Sequence, residues 1–93
     1  MEKKLDQAKD AVRLCKLNIK NQQKKLEAWN KKIEKIKNKM ANADTLSPNE
    51  LEKLMIIDSK LIGHANVHTG IILELQEDLI INENTLKQLK SNL

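Results

Sequence analysis

Apolar residues recur along the first half of the chain at alternating spacings of three and four: Leu5, Ala8, Val12, Cys15, Ile19, Gln22, Leu26, Trp29, Ile33, Ile36, Met40 and Ala43. Gln22 is the one polar member, and the spacing does not slip. A repeat of this kind averages 3.5 residues and keeps one seam turned to a partner along a slightly underwound helix, as a coiled coil requires. The positions between are mostly Lys, Asn, Gln, Asp and Glu, suited to a face in water. The pattern predicts a first helix from about residue 3 to residue 42, with the charged start Met1–Lys4 frayed. Its interior lacks Gly and Pro and is rich in good helix formers. Lys37 and Lys39 near its end suit the negative pole of the helix dipole.

Residues 43–47 read as the turn. In Ser47-Pro48-Asn49-Glu50, Ser47 is placed to cap the first free amides, and Pro48 stands where a missing N–H costs nothing. Glu50, three residues after the cap, completes a capping box, while Leu46 and Leu51 form the two ends of a hydrophobic staple. A second helix is therefore predicted over about 48–91. It carries its own seam: Leu51, Leu54, Asp58, Leu61, Ala65, His68, Ile72, Leu75, Leu79, Asn82, Leu86, Leu89 and Leu93. Gly63 to Gly70 is its weak stretch, because each Gly costs about 1 kcal/mol against Ala and Asn66, Val67, His68 and Thr69 add little. A break at 63–70 would give a three-helix bundle; the unbroken phase of the seam favours one continuous helix.

Two helices of similar length joined by a short turn pair antiparallel, so the fold class is all-α, a long helical hairpin or two-helix coiled coil forming a single domain. Folding about the turn sets residue i roughly opposite residue 91 − i. Met40 then meets Leu51, Ile36 meets Leu54 and Ile33 meets Asp58. Trp29 meets Leu61, with Gly63 and Ala65 leaving a small-residue gap for the ring. Gln22 lies near His68 and Ala8 near Asn82, two polar layers that favour this register.

Composition agrees with a helical domain. The 93 residues include one Trp, no Phe or Tyr, two Gly and one Pro, so strand and turn punctuation is nearly missing. One cysteine leaves no intrachain disulfide, and no basic-then-apolar leader follows Met1, which together suggest a reducing compartment, the cytoplasm. No apolar run approaches the roughly 20 residues of a membrane span, and lipid-anchor signals are missing at both ends.

Charge separates the two arms. Residues 1–46 hold thirteen Lys or Arg against six acids, whereas residues 47–93 hold four against seven. Lys16, Lys20, Lys24, Lys25, Lys31, Lys32, Lys35, Lys37 and Lys39 crowd the middle and end of the first helix. One reading is a solvated face partly paired with the acidic second helix. The other is a surface for nucleic acid or another polyanion, with Lys20, Lys24, Lys31 and Lys35 as candidates.

Candidate chemistry is sparse. His64 and His68 stand four apart on one helical face, the spacing of half a metal site, but Cys15 falls about two turns from them. His68 reads instead as a seam residue bonded to Gln22, and Cys15 as a small core residue. No phosphate loop, nucleophile elbow or acid pair is present, and a two-helix hairpin offers no pocket of enzymatic size. No cofactor, metal or catalytic residue is assigned, and an enzyme is not expected.

The informative excess is apolar. Leu14, Leu17, Ile71, Leu73, Ile80 and Ile81 stand off the seams in the half away from the turn, and Met55, Ile56, Ile57 and Ile62 form a second group near it. A lone hairpin would leave them in water, so the expectation is a homo-oligomer, a dimer forming a four-helix bundle, with a protein partner helix as the alternative occupant. In layout the chain resembles the helical-hairpin co-chaperones of bacterial secretion systems, which implies an adaptor, scaffold or small chaperone. In outline it also resembles plasmid-encoded hairpin dimers that bind RNA, which implies a small regulator gripping nucleic acid through its first helix.

Overall fold

Two helices and one tight turn make up residues 2–92, which the computed structural model describes; Leu93 of the second seam and the side chain of Ala43 lie outside the described residues. Helix α1 is Glu2–Ala41, a 3-10 turn follows at Ala43–Thr45, and helix α2 is Pro48–Ser91. The described residues contain no strand. The chain is an all-α helical hairpin.

The turn is built without glycine. The Asn42 amide donates to the Lys39 carbonyl and the Thr45 amide to the Asn42 carbonyl, while the Thr45 hydroxyl donates to that same Asn42 oxygen at 2.8 Å. These 3-10 bonds tighten the end of α1 and occupy carbonyls that the helix itself leaves unpaired. No described residue has a positive φ, so no glycine is needed here. On the other side the Glu50 amide donates to Ser47 Oγ at 3.2 Å, and the Leu51 amide makes the first bond of α2 to the Ser47 carbonyl at 3.0 Å. Ser47 is the cap, and α2 starts at Pro48 as the sequence predicts. Helix α1 starts at Glu2 rather than fraying, so Lys3 and Lys4 are helical.

The chain divides into two compact units, each made of antiparallel segments of both helices: Met1–Gln23 with Gly70–Leu93, and Lys24–Thr69. In the first unit Val12, Cys15, Ile19 and Ile72 are buried. The Cys15 thiol donates to the Leu75 carbonyl at 3.1 Å. In the second unit Ile33 and Ala65 are buried, with Leu26, Trp29, Ile36, Met40, Leu51, Leu54 and Leu61 half-buried around them. Every described position of both seams is buried or half-buried.

Helix α2 is unbroken from Pro48 to Ser91, so the alternative with a break at 63–70 does not hold. Low propensity there is overridden by packing: Ala65 is buried in the seam, and His64 and His68 both lie against the Trp29 ring. The Thr69 hydroxyl folds back onto the Ala65 carbonyl at 3.0 Å, which satisfies it without opening the helix. Gly63 and Gly70 face open space: a Cβ at either would meet nothing within 4 Å. Gly63 therefore does not contribute to the small-residue gap expected for Trp29. Gly63 follows seam residue Leu61 by two positions, about 200° around the helix, and looks away from α1.

Candidate interaction surfaces

In the first unit, Leu14, Leu17, Leu73, Ile80 and Ile81 are exposed, with Ile80 and Ile81 at 62% and 61%. Ile71, assigned to the same group from sequence, is only half-exposed because it stands next to the seam residue Ile72. The group does not form one face. Leu14 of α1 and Ile81 of α2 wall a shared groove floored by Cys15 and Leu75 and edged by Asn18 and Asp78. Ile71 lies one heptad before Asp78 and so on that same side of α2. Leu73 and Ile80, also a heptad apart, are turned about 100° from Ile81 and face the other way around α2. Leu17, three residues after Leu14, points outward from the back of α1. The expected neighbourhood of Ala8 and Asn82 is present: both line a shallow apolar groove with Ala11, Thr85 and Leu89.

The second unit holds an aromatic cluster. The Trp29 ring stacks on His64 with centroids 4.6 Å apart and planes 12° from parallel, and on His68 at 6.4 Å and 24°. Lys32 Nζ lies over the Trp29 ring, 4.7 Å from its centroid, in cation–π geometry. Reading the register from the seam alone put Leu61 against the indole. The histidine stack was missed because a seam residue's neighbours depend on which way its side chain leans, and helical side chains lean toward the N-terminus. His64 and His68 at i and i+4 were the available signal. Among the described residues no group of three or more His, Cys, Asp or Glu side chains is placed to hold a metal ion.

Asp58 sits in the seam of this unit, and its Oδ1 is buried without a hydrogen-bond partner. Near the turn, Lys39, Asn42, Leu46, Glu50, Lys53 and Leu54 line a shallow, largely apolar depression.

The lysines of α1 are exposed, and their pairing is not the one expected. Ion pairs among the described residues run within α1, Arg13 to Asp10 at 3.7 Å and Lys31 to Glu27 at 3.8 Å. Neither reaches the acidic α2. Glu52, Glu74 and Glu77 of α2 lie off the seam and are exposed. Of the polyanion candidates, Lys24, Lys31 and Lys35 belong to the second unit and Lys20 to the first.

Among the described residues no helix is long and apolar enough to cross a membrane. Comparison with protein-family models, curated proteins and solved structures finds no match, so the residues themselves must carry the functional argument.

Proposed function

We propose that this chain is a non-catalytic protein–protein interaction module, an adaptor, scaffold piece or small chaperone-like coiled-coil protein, whose apolar surplus is covered first by a second copy of itself. The observation that carries this reading is exposed apolar surface: Leu14, Leu17, Met55, Ile56, Ile57, Ile62, Val67, Leu73, Ile80 and Ile81 are all exposed, and large apolar patches left in water usually mark an interface.

The flank bearing Leu14, Ile71 and Ile81 suits a second hairpin, because both helices contribute to it and a four-helix bundle needs contacts from both. Charge supports the pairing. In the first unit α1 supplies six basic and three acidic residues, and α2 two basic and four acidic. Setting α1 of one copy beside α2 of the other is then attractive. Leu17, Leu73 and Ile80 remain outside this contact as a surface for a partner helix.

Two double variants test the proposal by gel filtration and circular dichroism. Replacing Leu14 and Ile81 with Ser is expected to lower the oligomeric state while preserving helix content. Replacing Leu73 and Ile80 with Ser is expected to leave it unchanged. Dissociation by the second pair and not the first would refute the assigned flank.

A further inference from the structure

Charges of the second unit are sorted by side. On α1, Lys25, Lys32 and Lys39 repeat every seven residues beside the seam, Lys35 stands next to that row, and Lys24 and Lys31 continue it around the back. This arc of about 100° contains no acid. Glu27 and Glu34 border this arc beyond Lys24 and Lys31, and Glu27 pairs with Lys31 at 3.8 Å; Glu52 lies on the far side of α2. Two observations show which side of α2 completes the lysine flank. Lys32 lies over Trp29, whose ring is stacked on His64, and Lys39 shares a depression with Glu50 and Lys53. Lys60, one heptad after Lys53 and one turn before His64, belongs to the same side. Lysines from both helices therefore converge on one flank, with Glu50 as the acid in its midst.

We infer that this flank binds the phosphodiester backbone of a double-stranded nucleic acid without reading its sequence. Row spacing along α1 is about 10.5 Å per heptad, so the row offers several cations along one groove or strand. Lysine supplies compact point charges for phosphate and lacks the planar fork with which arginine reads a guanine edge. A duplex fits better than a single strand, because single strands are held largely by stacking of bases on aromatic rings. The one aromatic ring here is already stacked on His64 and His68 and covered by Lys32. The α1 row exposes no large apolar side chain between residues 24 and 41, whereas Ile57 and Val67 of α2 are exposed on this side, so anionic vesicles are the competing probe in the test. The dimer contact proposed above uses residues of the first unit and this flank residues of the second.

The test is anisotropy of labelled 20-base-pair DNA and RNA duplexes titrated with the full chain across a salt series, with Trp29 emission as a local readout. Wild type is expected to bind both duplexes in low salt, to change Trp29 emission, and to weaken steeply with salt, about one logarithmic unit of affinity per tenfold salt for each contacted phosphate. Replacing Lys25, Lys35 and Lys60 with Gln should weaken binding at least tenfold and reduce the salt slope by about 2.7. Replacing Lys37, Lys87 and Lys90 with Gln removes the same charge elsewhere and should change binding less than threefold. Circular dichroism confirms that both triple variants fold. The inference is overturned by no binding at low salt, by equal losses from the two triple variants, by preference for the single strand, or by binding to anionic phosphatidylserine vesicles but not to a duplex.

Discussion

Helices α1 and α2 differ by four residues in length and have seams of the same spacing, but their outward surfaces diverge. Of the large apolar residues of α1, only Leu14 and Leu17 are exposed; α2 exposes Met55, Ile56, Ile57, Ile62, Val67, Leu73, Ile80 and Ile81. Helix α1 is apolar along one stripe and basic around it, so pairing with α2 accounts for nearly all of its apolar residues. Helix α2 is apolar well beyond its stripe, and pairing with α1 leaves that surplus uncovered. A helix apolar around much of its circumference normally has more than one neighbour. The difference teaches that the hairpin is held by what the helices share, whereas its interactions are written in what they do not.

The largest predicted effect separates the seam from the surplus. Ile33 is buried at 9% exposure, and Ile56 on the outward surface of α2 is 51% exposed. Changing Ile33 to Asp should destabilise the protein by on the order of 3 kcal/mol or more, through an unpaired charge in the seam. The same change at Ile56 should stay within about 0.5 kcal/mol. Urea melts followed by circular dichroism compare the two; equal effects would erase the distinction drawn between the surfaces.

A smaller gain is predicted where the α2 seam carries a polar residue. Asp58 Oδ1 is buried and unpartnered, so replacing Asp58 with Leu should stabilise the protein by about 1–3 kcal/mol. A loss of stability would show that the carboxylate is satisfied in solution. The smallest effect concerns the outward surface of α2 itself. Ala at Gly63 or Gly70 meets open space and should stabilise by about 1 kcal/mol each, raising the melting temperature by about 4–8 °C per substitution. No change or a loss in melting temperature would indicate that another chain approaches these glycines closely.

Much of the fold is legible in the sequence for a simple reason. A 3.5-residue period translates directly into which side chains face a neighbour, and all described seam positions are at least half-buried. The start of α2 is equally legible, because a cap depends on four consecutive residues and Ser47 bonds the Glu50 amide as its spacing requires. What the period does not carry is the lean of individual side chains. Trp29 reaches His64, three residues beyond the Leu61 expected from the register. Nor does a list of off-seam residues say which of them share a side. Leu14 and Ile81 meet across one groove, while Leu73 and Ile80 turn away from it. The charge flank has the same character: lysine counts show an excess on α1, but only folding brings Lys53 beside Lys39.

The central claim is that a second copy covers the flank bearing Leu14, Ile71 and Ile81. Light scattering of the wild-type chain at micromolar concentration tests it most directly. The account predicts a mass twice the 10.7 kDa of one chain, falling toward one chain on dilution. A stable mass of one chain at every concentration would contradict it.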